Sequence, residues 1–372
     1  MFLITNRHVE KSTGDPSILG KAPNREANGG PNELRAVEAR RVGGKWKLVV
    51  LPDRTNPKQR KEVAAARARI GTIVSSDHVV DYVAFRLLDV VSPQLIHPSS
   101  TRKGKNLLVF CHGFNNDVED VLDRCHTLSR LYGIEVLAFT WPANGGGALS
   151  GTMSYKADKR DARLSIGAFD RLLGIMHTCV NAIREGQLAK AREDATRKHP
   201  DNLEDRDALV ARIAERECPF TINLMLHSMG NYLYKHLLLS TASEGNRLLF
   251  DNVVLAAADT NNEAHAAWVD RILCRKRVYI TINEDDRALQ VSRLKAGEEQ
   301  LARLGHYPFN LYSRHAAYVQ FTGATKVGNS HAYFADRSTE NAKVKRFFKL
   351  ALNGERAHER LPFDAASNTY EV

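Results

Sequence analysis

Cysteine is scarce in this sequence and is not arranged to carry structure or metal. The five residues, Cys111, Cys125, Cys179, Cys218 and Cys274, are odd in number, and no two stand as C-x-x-C. That argues against a disulfide framework and a zinc site and leaves reduced, packed thiols. Long apolar runs are missing as well, since nothing approaches the roughly 18 residues that a bilayer-crossing helix needs. The opening MFLITNRHVEKSTG is too short and charged too early for a secretory signal, so a cytoplasmic location is expected. No Pro/Ser/Gly-rich linker divides the 372 residues into two patterned halves, and no internal repeat is visible, so the expectation is one domain over 1–372.

What is present is an ordinary globular composition, 43% hydrophobic and 26% charged, with a net charge of +10. An excess of positive charge points to nucleic acid or anionic lipid only where it is clustered. Here RVGGKWK, TRKGK and RKR are short, and no aromatic-interleaved basic groove accompanies them. A solvated surface is favoured over a nucleic-acid interface, while an anionic membrane surface stays open as a partner. No motif speaks to oligomeric state.

From residue 106 onward, apolar β-branched runs alternate with helical patterns, which is the signature of a parallel sheet with crossover helices. The runs are 106–113, 134–141, 220–228, 252–259, 277–284 and 316–325. Their near-continuous hydrophobicity fits strands covered on both faces. Helices are expected near 117–132, 157–187, 230–244, 262–273, 286–304 and 340–353. The first 100 residues read as N-terminal strands (MFLITNR, KWKLVVLP and the apolar VVDYVAFRLLDVV) around an irregular Gly/Pro/Asn-rich loop, forming an antiparallel edge of the same sheet. The catalytic core spans 106–350. Residues 188–217, charged and broken at Pro200, read as an insertion of two exposed helices given to packing, oligomerisation or a partner, and 355–372 as a tail.

The stretch TINLMLHSMGNYL, 221–233, places Ser228 between a buried strand and a helix. A serine in such a sharp turn is held clear of the sheet, beside the free N–H groups of the helix that follows. Leu226-His227-Ser228-Met229-Gly230 departs from G-x-S-x-G only at Leu226, where a small residue is usual. The plainer reading is a serine that caps a helix. An acyl-transfer serine also needs a base, an acid to orient the base, and paired N–H donors for the oxyanion. Asp285 and Asp286 follow the strand at 277–284, and His331 follows the strand at 316–325, so both lie in loops leaving later strand ends. Read singly, His331 is a surface-loop histidine and either aspartate a helix cap. The oxyanion donors are expected from the Met229 amide and from the Phe114 amide in VFCHGFNN, where His112-Gly113 turn the chain. His112, the alternative base, is expected to brace that loop.

The segments MFLITNR, VFCHGFNN, FTWPANG with YKADKRDA, LHSMGNYL, VVLAAADTN, NEDDRAL and GNSHAYF occur in order. Together they resemble the α/β-hydrolase superfamily and, within it, a mainly bacterial branch of unknown function. The resemblance covers residues 1–8 weakly and about 106–350 well. It implies an α/β-hydrolase fold, a mostly parallel sheet with helices on both faces. Only 17 residues separate Asp259 from Arg277, enough for one helix, so no large cap is expected after the sixth strand, and the N-terminal strands are expected at an antiparallel edge. The resemblance also implies Ser228 as nucleophile and His331 as base. The D-x-A-L pattern prefers Asp286 over Asp285 as the acid, with Asp259 as runner-up. Gly230 and Gly113 would support the elbow and the oxyanion loop.

The implied reaction is hydrolysis of an acyl bond in a small-molecule or lipid ester, with no metal or organic cofactor required. The alternatives are a non-catalytic binding module on the same fold, with Leu226 the sign of a relaxed elbow, and a lipase-like protein at anionic membranes. The glycine-rich PANGGGALSGTMSY, 142–155, is the expected lid.

Overall fold

A sheet of 12 strands holds the six apolar runs at its centre. The strands are β1 (Phe2–Thr5), β2 (Arg7–Val9), β3 (Thr13–Gly14), β4 (Leu19–Pro23), β5 (Arg35–Val42), β6 (Lys45–Val50) and β7 (Leu107–Cys111). They continue with β8 (Glu135–Thr140), β9 (Ile222–His227), β10 (Phe250–Ala256), β11 (Cys274–Ile282), β12 (Ala316–Gln320), β13 (Phe363–Asp364) and β14 (Thr369–Glu371). The computed structural model describes residues 1–26, 29–70, 78–143, 151–214, 220–240, 247–294 and 302–372.

Every neighbour pair from β1 through β8, β7, β9, β10, β11 and β12 to β14 is parallel. The antiparallel N-terminal edge begins one strand later than its sequence suggests, because β1 lies parallel to β8 and the antiparallel pairing at this edge starts between β1 and β5 and continues through β6 and β3; at the other edge β13 runs against β14. Strands β7 and β9 are buried at every position, which is why their sequences are apolar without alternation. Strands β2 and β4 pair separately.

The helices are α1 (Pro57–Ile70), α2 (Val79–Val91), α3 (Pro93–Ile96), α4 (Val118–Tyr132), α5 (Gly151–Leu164) and α6 (Ile166–Lys198). They continue with α7 (Leu203–Ala214), α8 (Met229–Leu239), α9 (Ala266–Val269), α10 (Arg287–Leu294) and α11 (Ala342–Leu352). By contacts the chain comprises two compact units. One is Met1–Leu51, Asn106–Leu173 and Ile222–Val372, which holds the whole sheet, and the other is Pro52–Lys105 and Gly174–Thr221. The apolar run at 79–91, read as strand, is the helix α2. Thirteen residues are long for a strand, the His78 ring caps its start, and Tyr82, Val83, Leu87, Leu88 and Val91 are buried. In the charged 188–217 segment α6 ends at Lys198, Pro200 lies in the break, and α7 follows. No described helix is long and apolar enough to cross a membrane.

In the sheet-bearing unit, α4 is capped by reciprocal bonds between Asp117 and Asp120, and its apolar face, from Val118 to Tyr132, packs with Phe347 and Phe348 of α11 in one core cluster. The helix expected over 157–187 breaks at Ser165, whose hydroxyl bonds the Asp161 carbonyl at 2.7 Å, separating α5 from α6.

Two further helical expectations fail. The stretch 262–273 forms only α9. Residues 302–304, expected to end a helix over 286–304, run with Gly305 beside 258–262 instead, with Asn262 N–H to the Ala302 carbonyl at 2.8 Å and Gly305 N–H to the Ala258 carbonyl at 3.0 Å. A side chain at Gly305 would stand 2.2 Å from the Ala258 nitrogen, so only glycine lets the two segments touch. Residues 144–150 of the expected lid lie outside the described residues, and 151–155 open α5.

Candidate active site

Parallel strands end at one edge, and the loops leaving β7, β9, β10, β11 and β12 meet there. Ser228 follows β9 directly and precedes α8, with φ 53 and ψ −119. A non-glycine residue at such a positive φ costs about 1–3 kcal/mol and persists only where its surroundings hold it. Asn231 is one such support. Its side-chain amide donates to the carbonyls of Leu226 (3.0 Å), Ser228 (3.0 Å) and Ala256 (3.3 Å) from a fully buried position. Leu226 itself is buried in the strand and contributes its carbonyl to this clamp.

Small residues let the neighbouring chain in. A side chain on Gly113 would stand 2.6 Å from the Ser228 Cβ, and one on Gly230 would stand 2.8 Å from the Cys111 and His112 carbonyls. The loop after β7 therefore lies directly on the elbow, with Phe114 next in sequence and Met229 buried at the first position of α8.

His112 braces that loop. Its Nδ1 bonds the Gly113 carbonyl at 2.9 Å, its Nε2 accepts the Trp141 N–H at 3.2 Å, and its ring stacks on the Trp141 indole. Burial, with the Arg7 guanidinium beside it, lowers its pKa from 6.5 to about 3. A neutral ring with both nitrogens engaged has no room to act as a base. Arg7, itself buried, bonds the Thr140 hydroxyl and the carbonyls of Gly20, Ala143 and Asn116, so a residue of β2 holds the same loop from beneath.

His331 and Asp286 meet, with Nδ1 and Oδ2 2.7 Å apart. Asp286 is fully buried, and its other oxygen accepts the N–H groups of Ala288 and Leu289 at the start of α10. The helix-cap reading and the imidazole-partner reading of this residue hold together, one on each carboxylate oxygen. Asp285 is exposed. Asn283 ties the two loops, donating to the Gly328 and Ser330 carbonyls at 2.9 and 3.1 Å. His227, the neighbour of Ser228, donates from Nε2 to the His331 carbonyl at 3.0 Å, and the two rings lie 4.7 Å apart. Burial, then the nearby His331 and Arg124, hold the His227 ring far below its usual pKa and so neutral.

Asp259 is buried, and its carboxylate is engaged by other side chains. Its Oδ1 accepts from the Ser292 hydroxyl at 2.6 Å and pairs with the Arg303 Nε at 3.2 Å, while its Oδ2 accepts from the Tyr155 hydroxyl at 3.0 Å. Of the three candidate acids, Asp286 is the one hydrogen-bonded to the imidazole. Asn231, Asn283, His227 and Arg7 were not foreseen as site residues. Only Asn231 carried a local signal, a polar side chain on the buried first turn of α8. Among the described residues no group of three or more His, Cys, Asp or Glu is placed to hold a metal ion.

Over residues 91–185 and 191–348 the chain matches a family described as alpha/beta hydrolase of unknown function. No curated protein and no solved structure matches it. The match spans well over half of the sequence, and the parallel sheet and the elbow after β9 agree with it, so this chain belongs to that family of α/β hydrolases of unknown function.

Proposed function

We propose that the protein is a serine hydrolase that cleaves an acyl bond of a carboxylic ester, thioester or lipid ester. Ser228 attacks the carbonyl carbon as His331 takes its proton. The tetrahedral oxyanion forms against the amides of Met229 and Phe114, and the imidazolium returns the proton to the leaving group. Water then hydrolyses the acyl-enzyme by the same route. Asp286 keeps the proton of the neutral imidazole on Nδ1 and so presents Nε2 as the acceptor. Cytoplasmic location and a substrate of low molecular mass complete the proposal.

One observation carries it. The imidazole of His331 is bonded to a buried carboxylate, and its backbone is bonded to the residue adjoining a serine at φ 53. A serine that only capped α8 would accept an N–H with its side chain, and Ser228 makes no such cap bond. The test is turnover of a short-chain nitrophenyl ester by the wild type and by Ser228→Ala. Hydrolysis that is lost in the variant supports the proposal, and equal rates contradict it.

A further inference from the structure

The runner-up acid, Asp259, has a place of its own in the site. Its backbone N–H donates to the Ser228 carbonyl at 3.2 Å, and the Asn231 clamp closes on that same carbonyl. Its carboxylate, only 3% exposed, reaches Ser292 on α10, one turn beyond the N-terminus that Asp286 caps. A continuous set of hydrogen bonds therefore runs from the Ser228 backbone through Asp259, Ser292 and α10 to Asp286 and His331. A second arm runs through Tyr155. The phenol donates to Asp259 while its ring packs edge-on against Phe114, with centroids 5.5 Å apart.

Arg303 makes this hub affordable. A lone carboxylate at this depth would be costly, and the guanidinium, 2% exposed, offsets its charge and fixes the segment 302–305 by bonding Asn261 at 2.9 Å. Burial, with Asp259 beside it, pushes the Tyr155 phenol up, so it stays a donor.

We propose that Asp259, acting through Ser292 and Tyr155, is a positioning residue that sets the separation between the nucleophile elbow, the Asp286–His331 pair and the oxyanion loop. This rests on the serine-hydrolase reading above. Asp286 fixes the imidazole's partner, and its distance from Ser228 depends on where α10 sits. The buried Leu289 and the Gln290 bond to the Glu284 carbonyl hold α10 within its own surroundings, and the Ser292–Asp259 bond ties it to the residue that also bonds the Ser228 carbonyl. An error near 1 Å in such a relay slows chemistry about a hundredfold.

Two measurements on the full chain test it. One is the rate of labelling by an active-site fluorophosphonate, and the other is the low-field proton resonance of the His331 Nδ1–H bonded to Asp286, assigned by its loss in His331→Ala. The variant is Ser292→Ala, which cuts the arm to α10 and leaves the Asp259–Arg303 pair in place, with Tyr155→Phe to cut the other arm. Ser292→Ala is expected to slow labelling by about tenfold to a hundredfold, with reversible affinity for a substrate analogue unchanged, and to shift or broaden the resonance. Tyr155→Phe should slow labelling and leave the resonance in place.

A wild-type rate and an unchanged resonance in Ser292→Ala would overturn the proposal while leaving the hydrolase reading intact. A slower rate with an unchanged resonance would overturn it too, reducing Ser292 to a structural contact. If the resonance responds as expected but neither protein is labelled, the relay stands and the hydrolase reading falls. A wild type without the resonance would remove the relay itself.

Discussion

The His331 ring and the Asp286 carboxylate meet at 2.7 Å across loops that leave two adjacent parallel strands, β12 and β11. Forty-five positions separate the two residues in the chain, and it is sheet register that brings them together. With Asp286→Asn the amide can offer its N–H to Nδ1, which favours the wrong tautomer. Labelling of Ser228 should fall by roughly a thousandfold or more, with little change in thermal stability. Stopped-flow or quench labelling measures this, and a loss below about tenfold would remove Asp286 from the mechanism.

Asn231 should prove costlier than its size suggests. Asn231→Ala removes the side-chain donor shared by three buried carbonyls around a residue held at positive φ, leaving the Ser228 carbonyl to the Asn231 and Asp259 N–H groups and the Ala256 carbonyl to the Ser228 N–H. The expected effect is a stability loss of about 1–3 kcal/mol in denaturant unfolding together with slowed labelling. Unchanged stability would mean that the elbow is held by other means.

Gly113→Ala places a methyl carbon 2.6 Å from the Ser228 Cβ. Overpacking of this kind costs about 1–3 kcal/mol, and it would be relieved by moving the serine or the oxyanion loop. Labelling should be abolished in a protein that still folds, as judged by circular dichroism. An active Gly113→Ala protein would show that the loop after β7 does not lie against the nucleophile.

Asn283→Ala separates the loop bearing Asp286 from the loop bearing His331 by deleting two hydrogen bonds. Labelling is expected to slow by at least about tenfold, because the two groups then depend on their own bond for alignment. The measurement is again the labelling rate, and a rate equal to wild type would leave Asn283 a loop brace without effect on the chemistry.

Acid should destabilise the fold through two buried histidines. His112 has its pKa lowered from 6.5 to about 3, and His227 is lowered as well, in both cases chiefly by burial. Below pH 6.5 the unfolded chain binds protons that the folded chain refuses. The stability these rings contribute is thus full above about pH 6.5 and is lost as pH falls toward about 3. Between pH 7.5 and 5 the Tm should fall by several degrees, and by less in His112→Asn, whose side chain has no proton to gain. Parallel Tm curves for the two proteins would contradict this.

The sheet was largely legible because its strands are buried on both faces and so read as unbroken apolar runs bounded by turn residues. The order of Ser228, Asp286 and His331 along those strand ends was legible for the same reason. The helix α2 is legible too, since apolar residues at 79/80, 83/84, 87/88 and 91 recur at helical spacing with Asp81, Arg86 and Asp89 between them, and attention to the apolar run alone hides that period. The course of 302–305 was not legible, since what makes glycine necessary at 305 is the backbone of Ala258, far away in sequence. Asp259 closes an apolar run at the strand end where some lipase-like hydrolases place the acid, which makes it the runner-up. Its partners Tyr155, Ser292 and Arg303 come from three separate segments that only the fold assembles. Asn283 and His227 act on backbone carbonyls, and no side-chain pattern announces such a bond.

The account stands or falls on the reactivity of one hydroxyl. Intact-mass analysis after incubation with a fluorophosphonate, followed by peptide mapping, should find a single adduct on Ser228 in the wild type and none in Ser228→Ala, with slow adduct formation in His331→Ala. A folded wild-type protein that takes up no adduct, or carries it on another residue, would contradict the account.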